Sequence, residues 1–223
     1  MSLKIRLVIA FFISAISILG FSLISLFISD QKINQFDHQV IDYIQGLESI
    51  GLTRTMKFFT TIGSAPVVIG LSMLLLLFLY KVLHHRLELI LFVAAIMGSA
   101  ILNELLKQFF KRTRPELHRL IEVGGYSFPS GHAMNAFTVY GVVSFLLWRH
   151  IPNRWGRVLL IFVSVGMILS IGISRIYLGV HYPSDIIGGY FASGFWLTTA
   201  ILFFQFYMEK KYNKKHKREK EVA

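Results

Sequence analysis

Apolar residues run along this chain in six long blocks separated by short polar stretches: Leu7 to Ile28, Ser64 to Tyr80, Leu87 to Phe110, Ala133 to Trp148, Val158 to Ser174 and Ile186 to Tyr207. Inside lipid a backbone amide has no partner outside its own helix, so blocks of this length predict membrane-spanning α-helices. The expected fold class is therefore all-α, a polytopic membrane helix bundle with six transmembrane helices. Lys4 and Arg6 precede the first block as in a signal peptide. Its apolar stretch is too long for one and no small-x-small cleavage site follows, so a retained anchor is expected.

The polar connections set the orientation, because Lys and Arg gather on the cytoplasmic side. Lys4 and Arg6 lie before the first block, Lys81 and Arg86 in the second connection, and Arg149, Arg154 and Arg157 in the fourth. The tail holds Lys210, Lys211, Lys214, Lys215, Lys217, Arg218 and Lys220. This alternation places both termini in the cytoplasm of a cell (plasma) membrane protein. The first connection, 29–63, carries Asp30, Asp37, Asp42 and Glu48 and falls outside. Val40, Ile41, Ile44, Leu47 and Ile50 recur there at helical spacing, which predicts an amphipathic helix lying on the outer surface.

Composition sharpens this picture. Of 223 residues 54% are hydrophobic and 16% charged, with a mean hydropathy of +0.59, which excludes an ordinary soluble domain. What remains beyond six spans is too short for a separate soluble unit, so 1–223 reads as one membrane-embedded domain. The absence of Cys excludes disulfides, thiolate metal sites and a cysteine nucleophile. The net charge of +11 raises the possibility of nucleic acid. No reading module accompanies it, and the basic tail 209–223 is better explained as a clamp on anionic inner-leaflet lipids. No protein partner is evident.

One group of cations breaks the positive-inside pattern: Lys107, Lys111, Arg112, Arg114, Arg119 and Arg175 sit at outward span ends. An anion outside the membrane is the simplest compensation. Lys107, Lys111 and Arg114 fall at i, i+4 and i+7, one face of a helix that Pro115 would end. For Lys111, Arg112 and Arg119 snorkelling to the headgroups explains the charge at least as well. Glu104, one turn before Lys107, is expected to be its ion-pair partner.

Two further stretches share that side of the membrane. Phe128-Pro129-Ser130-Gly131-His132 opens the fourth block, where free helix N–H groups and a close-approach glycine suit an anion, although Ser130 could simply be an N-cap. Ser174-Arg175 is followed by His181-Tyr182-Pro183-Ser184-Asp185. Pro183 and Asp185 suit a helix start on their own, yet the four-residue spacing also lets Asp185 reach an imidazole nitrogen of His181 and fix its tautomer. Three cations, a helix N-terminus, two histidines and one carboxylate are a full set for phosphoryl transfer without a metal.

At these residues the chain resembles the PAP2 superfamily of membrane lipid phosphatases and vanadium haloperoxidases. The family pattern K-x6-RP, PSGH, SR-x5-H-x3-D is matched by Lys107 with Arg114-Pro115, by Pro129 to His132, and by Ser174-Arg175 with His181 and Asp185. The motif core spans 107–185. The resemblance implies a PAP2/haloperoxidase-like core with its active site at the extracytoplasmic face. His181 would be the nucleophile that forms a phosphohistidine, Asp185 its hydrogen-bond partner, and His132 the proton donor and later the base. Lys107, Arg114, Ser130, Gly131 and Arg175 would bind phosphate, with no metal and no cofactor.

Site depth at headgroup level favours a lipid phosphate drawn from the bilayer. The expected reaction is hydrolysis of phosphatidylglycerol phosphate to phosphatidylglycerol and phosphate. Undecaprenyl diphosphate, in cell-wall lipid carrier recycling, is the alternative, and phosphatidate or related lipids could also serve. A non-catalytic anion or lipid-phosphate transporter would use the same cations. It would not need the His181–Asp185 pair, and the first, second, fourth and sixth blocks carry no acidic or basic side chain to line a path.

Overall fold

The computed structural model describes residues 3–78, 80–81, 86–116, 118–148 and 150–222, with side chains described at all of these except 3, 4, 6, 78, 86 and 212–222. The side chains of Lys4, Arg6, Arg86, Arg149, Lys214, Lys215, Lys217, Arg218 and Lys220, assigned to the cytoplasmic side above, lie outside the described residues. Eight α-helices follow one another among the described residues: α1 (Leu3–Ser29), α2 (Asn34–Gln45), α3 (Ile50–Ile62), α4 (Ala65–Phe78), α5 (Arg86–Phe110), α6 (Gly131–Trp148), α7 (Arg154–Tyr177) and α8 (Pro183–Val222).

Helix α6 is the axis of the bundle, packed by α5, α7 and α8, while α1 lies along α8, α3 against α7, and α2 against both α7 and α8. One apolar core joins Leu91, Phe92 and Ala95 of α5 to Val142 and Leu146 of α6 and Leu197 of α8. Small and hydroxylic residues bring the helices close, as expected where lipid removes the hydrophobic drive for association. A side chain at Gly98 would collide with the Trp196 ring, whose Nε1–H donates to the Ala95 carbonyl at 2.9 Å. Ser144 meets Ser164 at 2.8 Å between α6 and α7, and Thr138 donates to Ser99 at 3.0 Å between α6 and α5. The large side chains of Phe11, Phe12, Leu19, Leu159 and Phe162 point outward instead, the inverted pattern of a chain solvated by acyl chains.

Among the described residues, four helical stretches are long and apolar enough to cross a bilayer: Leu7–Ser29, Leu87–Phe110, Arg154–Tyr177 and Pro183–Lys211. The expected second span, Ser64 to Tyr80, contains the 14-residue α4, and Tyr80 and Lys81 beyond it are also helical. α4 alone is about 21 Å long, and among the described residues it joins α3 across a 55° bend to make a fifth crossing at most. The bend falls at Gly63, where a Cβ would press on Ile171 and stand 3.3 Å from His132 Cδ2. The expected fourth span is α6, which is not among the apolar four. His132, Asn135, Thr138 and Tyr140 dilute it because it faces protein on most sides.

The amphipathic helix read from Val40 to Ile50 lies earlier in the chain, at Asn34–Gln45. It ends at Gln45, leaving Leu47 and Ile50 exposed outside it. Its apolar face does not simply rest on a surface, because Ile41 is buried with Ala133, Ile176 and Ile186 of α6, α7 and α8.

Candidate active site

The C-terminus of α5, the N-termini of α6 and α8 and the C-terminus of α7 converge at one end of the bundle. The connection 111–130 crosses this end and is pinned by backbone pairs, Ser127 N–H to Arg112 O at 2.8 Å, Leu120 N–H to Leu178 O at 3.1 Å, and Ser130 N–H to Asp185 O at 3.1 Å. Gln45 adds a bond from Nε2 to the His118 carbonyl at 2.8 Å. Between α7 and His181 the turn runs through Gly179 at φ +72°, where a Cβ would collide with that same carbonyl. Only glycine fits both demands.

The helix expected to carry Lys107, Lys111 and Arg114 on one face stops earlier. Lys111 takes φ +47°, and its N–H bonds the Lys107 carbonyl at 2.9 Å, a left-handed cap that ends α5 at Phe110. The chain therefore turns before Pro115. Lys111 is left exposed, while Arg112 and Arg114 swing inward.

His181 and Asp185 meet as their spacing predicted. Nδ1 of His181 lies 3.2 Å from Asp185 Oδ2, with the two side chains 2% and 0% exposed. Oδ2 also accepts from the Ser127 hydroxyl and from the Tyr182 N–H at 2.9 Å. The carboxylate holds the imidazole proton on Nδ1, which leaves the Nε2 lone pair to accept from Arg114 Nη1 at 3.1 Å. Burial pushes the His181 pKa down to about 4, with the Arg175 and Arg114 charges adding to it, against the opposing hydrogen bond and charge of Asp185.

Arg114 is bound on every side. It donates to the carbonyls of Gly124, Gly125, Tyr126 and Val180 at 2.8–3.2 Å, so it braces the connection as well as facing His181. Arg175, 2% exposed, donates from Nη1 to the Thr60 hydroxyl of α3, and its Nε has no partner among the described residues. A buried N–H without a partner is costly, and here it belongs to a cation in a cluster of cations, as a site for an incoming anion requires. Lys107 stands over the start of α6, its Nζ 3.7 Å from where a Gly131 side chain would begin. Arg175, Lys107 and Arg114 are the cations around His132, with the His181 ring also beside it. Ser130 is fully buried and its hydroxyl caps α6, accepting from Ala133 N–H at 3.4 Å, the simpler of its two readings. Glu104 does not pair with Lys107 among the described residues; it is exposed and accepts from Gln108 at 2.7 Å. No group of three or more His, Asp or Glu side chains is gathered as a metal ion would require among the described residues.

The structure adds residues that sequence reasoning passed over. Arg112, read as a snorkelling cation, is 11% exposed and binds Asp185 Oδ1 at 2.7 Å, Ser184 Oγ at 2.7 Å and Asp37 Oδ2 at 2.8 Å, with its guanidinium 4.1 Å over the Tyr182 ring. Asp37, counted only as an outward acid, is fully buried. A signal was present, since Asp37 precedes Ile41 and Ile44 at i, i+4 and i+7 and so shares the apolar face of α2. Ser127, Thr60 and Asn103, whose Nδ2 donates to the Pro129 carbonyl at 3.1 Å, carried no comparable signal.

The chain is 41% identical over 91 residues to phosphatidylglycerophosphatase B of Bacillus subtilis, a match covering 40% of this chain and 45% of that protein. It is 29% identical over 189 residues to an undecaprenyl-diphosphatase of Sulfolobus acidocaldarius, covering 82% and 86%. Its fold superposes on the crystal structure of a transmembrane PAP2-type phosphatidylglycerolphosphate phosphatase from Bacillus subtilis with a TM-score of 0.75 at 26% identity, over 88% of this chain and 96% of that one. These relatives are named as phosphatases, the chain spans about half the length of the first of them, and the apolar helices here mark a multi-pass membrane protein. The PAP2 superfamily model matches residues 88–209, from the first turn of α5 through the apolar part of α8. With its three motifs folded around one buried histidine inside that match, the chain belongs to the PAP2 superfamily.

Proposed function

We propose that the protein hydrolyses the phosphomonoester of phosphatidylglycerol phosphate to phosphatidylglycerol and inorganic phosphate, without a metal, at the extracytoplasmic face of a cell membrane. The observation that carries this reading is the His181 imidazole, fixed by Asp185 with Nε2 turned toward the cations. In the first step Nε2 attacks phosphorus as the ester P–O bond breaks, and protonated His132 gives its proton to the departing lipid alkoxide. In the second, neutral His132 takes a proton from water, the water oxygen attacks the phosphohistidine, and the P–N bond breaks to release phosphate. Lys107, Arg114, Arg175, the Ser130 hydroxyl and the Gly131 N–H hold the phosphoryl oxygens and stabilise the charge that builds on them. The paired α3–α4 segment and α6 complete a six-span topology with both termini cytoplasmic, one domain over 1–223, and the tail against anionic lipid.

Undecaprenyl diphosphate is the second reading, favoured by the likeness to the archaeal undecaprenyl-diphosphatase over 82% of the chain. The experiment is phosphate release by purified protein in detergent with EDTA present. Phosphatidylglycerol phosphate, undecaprenyl diphosphate and phosphatidate are offered side by side, with His181→Ala as the blank. The highest kcat/KM is expected for phosphatidylglycerol phosphate, and release is expected to vanish in the variant. A higher kcat/KM for undecaprenyl diphosphate would transfer the assignment to that lipid. No release by folded protein would leave a non-catalytic anion or lipid-phosphate transporter as the reading.

A further inference from the structure

The family match begins at residue 88, yet a carboxylate from α2, fifty residues earlier, reaches the far side of the His181–Asp185 pair. Asp37 and Asp185 are both fully buried, and Arg112 lies between them. The guanidinium splits its fork, giving Nη2 to Asp37 at 2.8 Å and Nη1 to Asp185 Oδ1 at 2.7 Å. Asp37 also accepts from Ser184 N–H at 2.9 Å and from Ser184 Oγ–H at 2.6 Å, so it anchors the first turn of α8, which carries Asp185.

A buried carboxylate is tolerated only when its oxygens are satisfied, and Asp37 meets that condition through these two residues. The arrangement has a consequence for Asp185. An Arg fork facing a single carboxylate prefers to bind both of its oxygens. Because Asp37 takes one arm of the fork, Arg112 reaches only Oδ1 of Asp185. Oδ2 stays with His181 Nδ1, the Ser127 hydroxyl and the Tyr182 N–H. Two carboxylates around one guanidinium also leave a net negative charge beside the imidazole, which supports the positive charge that develops on it during attack.

We infer that Asp37 is a positioning residue for the proposed phosphoryl transfer: by dividing the Arg112 fork and anchoring Ser184, it keeps Asp185 Oδ2 free and charged for His181. The inference rests on the phosphohistidine reading. Its failure is distinguishable, because wild-type turnover tests that reading and the Asp37 variants test this one.

Asp37→Asn is the informative change, since the amide oxygen can still accept from Ser184 while the amide N–H₂ confronts Arg112. The expected result is a fall in kcat of about 10-fold or more with KM within about 3-fold of wild type. Titration of labelled histidine by NMR gives a second readout that a merely structural role would not produce. The groups facing His181 are Asp185 of α8, Arg175 of α7, Arg114 of the connection and His132 of α6, with Arg112 acting through Asp185 and Asp37 of α2 acting through Arg112. Removing a cation from this set with Arg112→Gln should raise the His181 pKa, and removing an anion with Asp37→Asn should lower it. Loosening of the site would instead move both toward the ordinary histidine value.

In the Arg112→Gln background Asp37→Asn should cost less than about 3-fold, because its effect acts through Arg112. That double variant, with an amide pair in place of the ion pair, also serves if Asp37→Asn alone does not fold. Wild-type kcat in folded Asp37→Asn would overturn the inference. So would His181 shifts of the same sign in both single variants, or an undiminished cost or loss of folding in the double variant.

Discussion

The Nδ1–H of His181 is committed to Asp185 and its Nε2 lone pair faces Arg114, so the protonation of one ring controls the proposed chemistry. His181→Ala should abolish turnover, and Asp185→Asn should lower kcat by about 10⁴-fold, as loss of the carboxylate frees the wrong tautomer. Phosphate release by the two purified variants, with folding checked by thermal unfolding, measures both. The sign of the His181 shift also sets a pH expectation. A pKa lowered to about 4 means that the imidazole of the free enzyme stays neutral as pH falls through 6.5 and gains its proton only near pH 4. NMR titration of labelled histidine in detergent should show one resonance with that late transition, and a transition near 6.5 would contradict the buried geometry. At this scale the sequence was largely legible for His181, Asp185 and Arg175, because i, i+4 spacing at a helix start is a local property. Arg112 was not, since nothing local distinguishes a cation that snorkels from one that turns inward to two carboxylates.

Among the elements, the connections position the site more than the helices do. The left-handed residue Lys111 ends α5 and redirects Arg112 and Arg114, and the left-handed Gly179 returns the chain from α7 to His181. Gly179→Ala should destabilise the fold by at least about 1 kcal/mol from its backbone conformation alone, and by more because its Cβ meets the His118 carbonyl. A lowered Tm, with activity lost in parallel, is the expected result. The sequence showed that a helix must stop before Pro115, but the stop came at Phe110. A cap through the Lys107 carbonyl is a backbone choice that periodicity cannot reveal. The end of α2 at Gln45 has a tertiary cause, because Gln45 turns its side chain to the carbonyls of His118 and Tyr177.

For the whole molecule, the alternation of charge along the chain predicts sidedness, with the candidate site outside and the termini inside. In sealed vesicles of known orientation, a membrane-impermeant water-soluble phosphomonoester should be hydrolysed only when the periplasmic or external face is accessible. Hydrolysis confined to the cytoplasmic face would reverse the topology. The sequence by itself determined that the chain is a helical membrane protein and which residues make up its three family motifs, because apolar block length and short motif spacing are properties of consecutive residues. Only the tertiary structure decided that α6 is the enclosed axis, that α3 and α4 form one bent element at Gly63, and that α2 supplies Asp37 to the His181 network. Those outcomes depend on which helix faces meet: periodicity can put Asp37 on the inner face of α2, but it cannot name Arg112 and Ser184 as the partners found there.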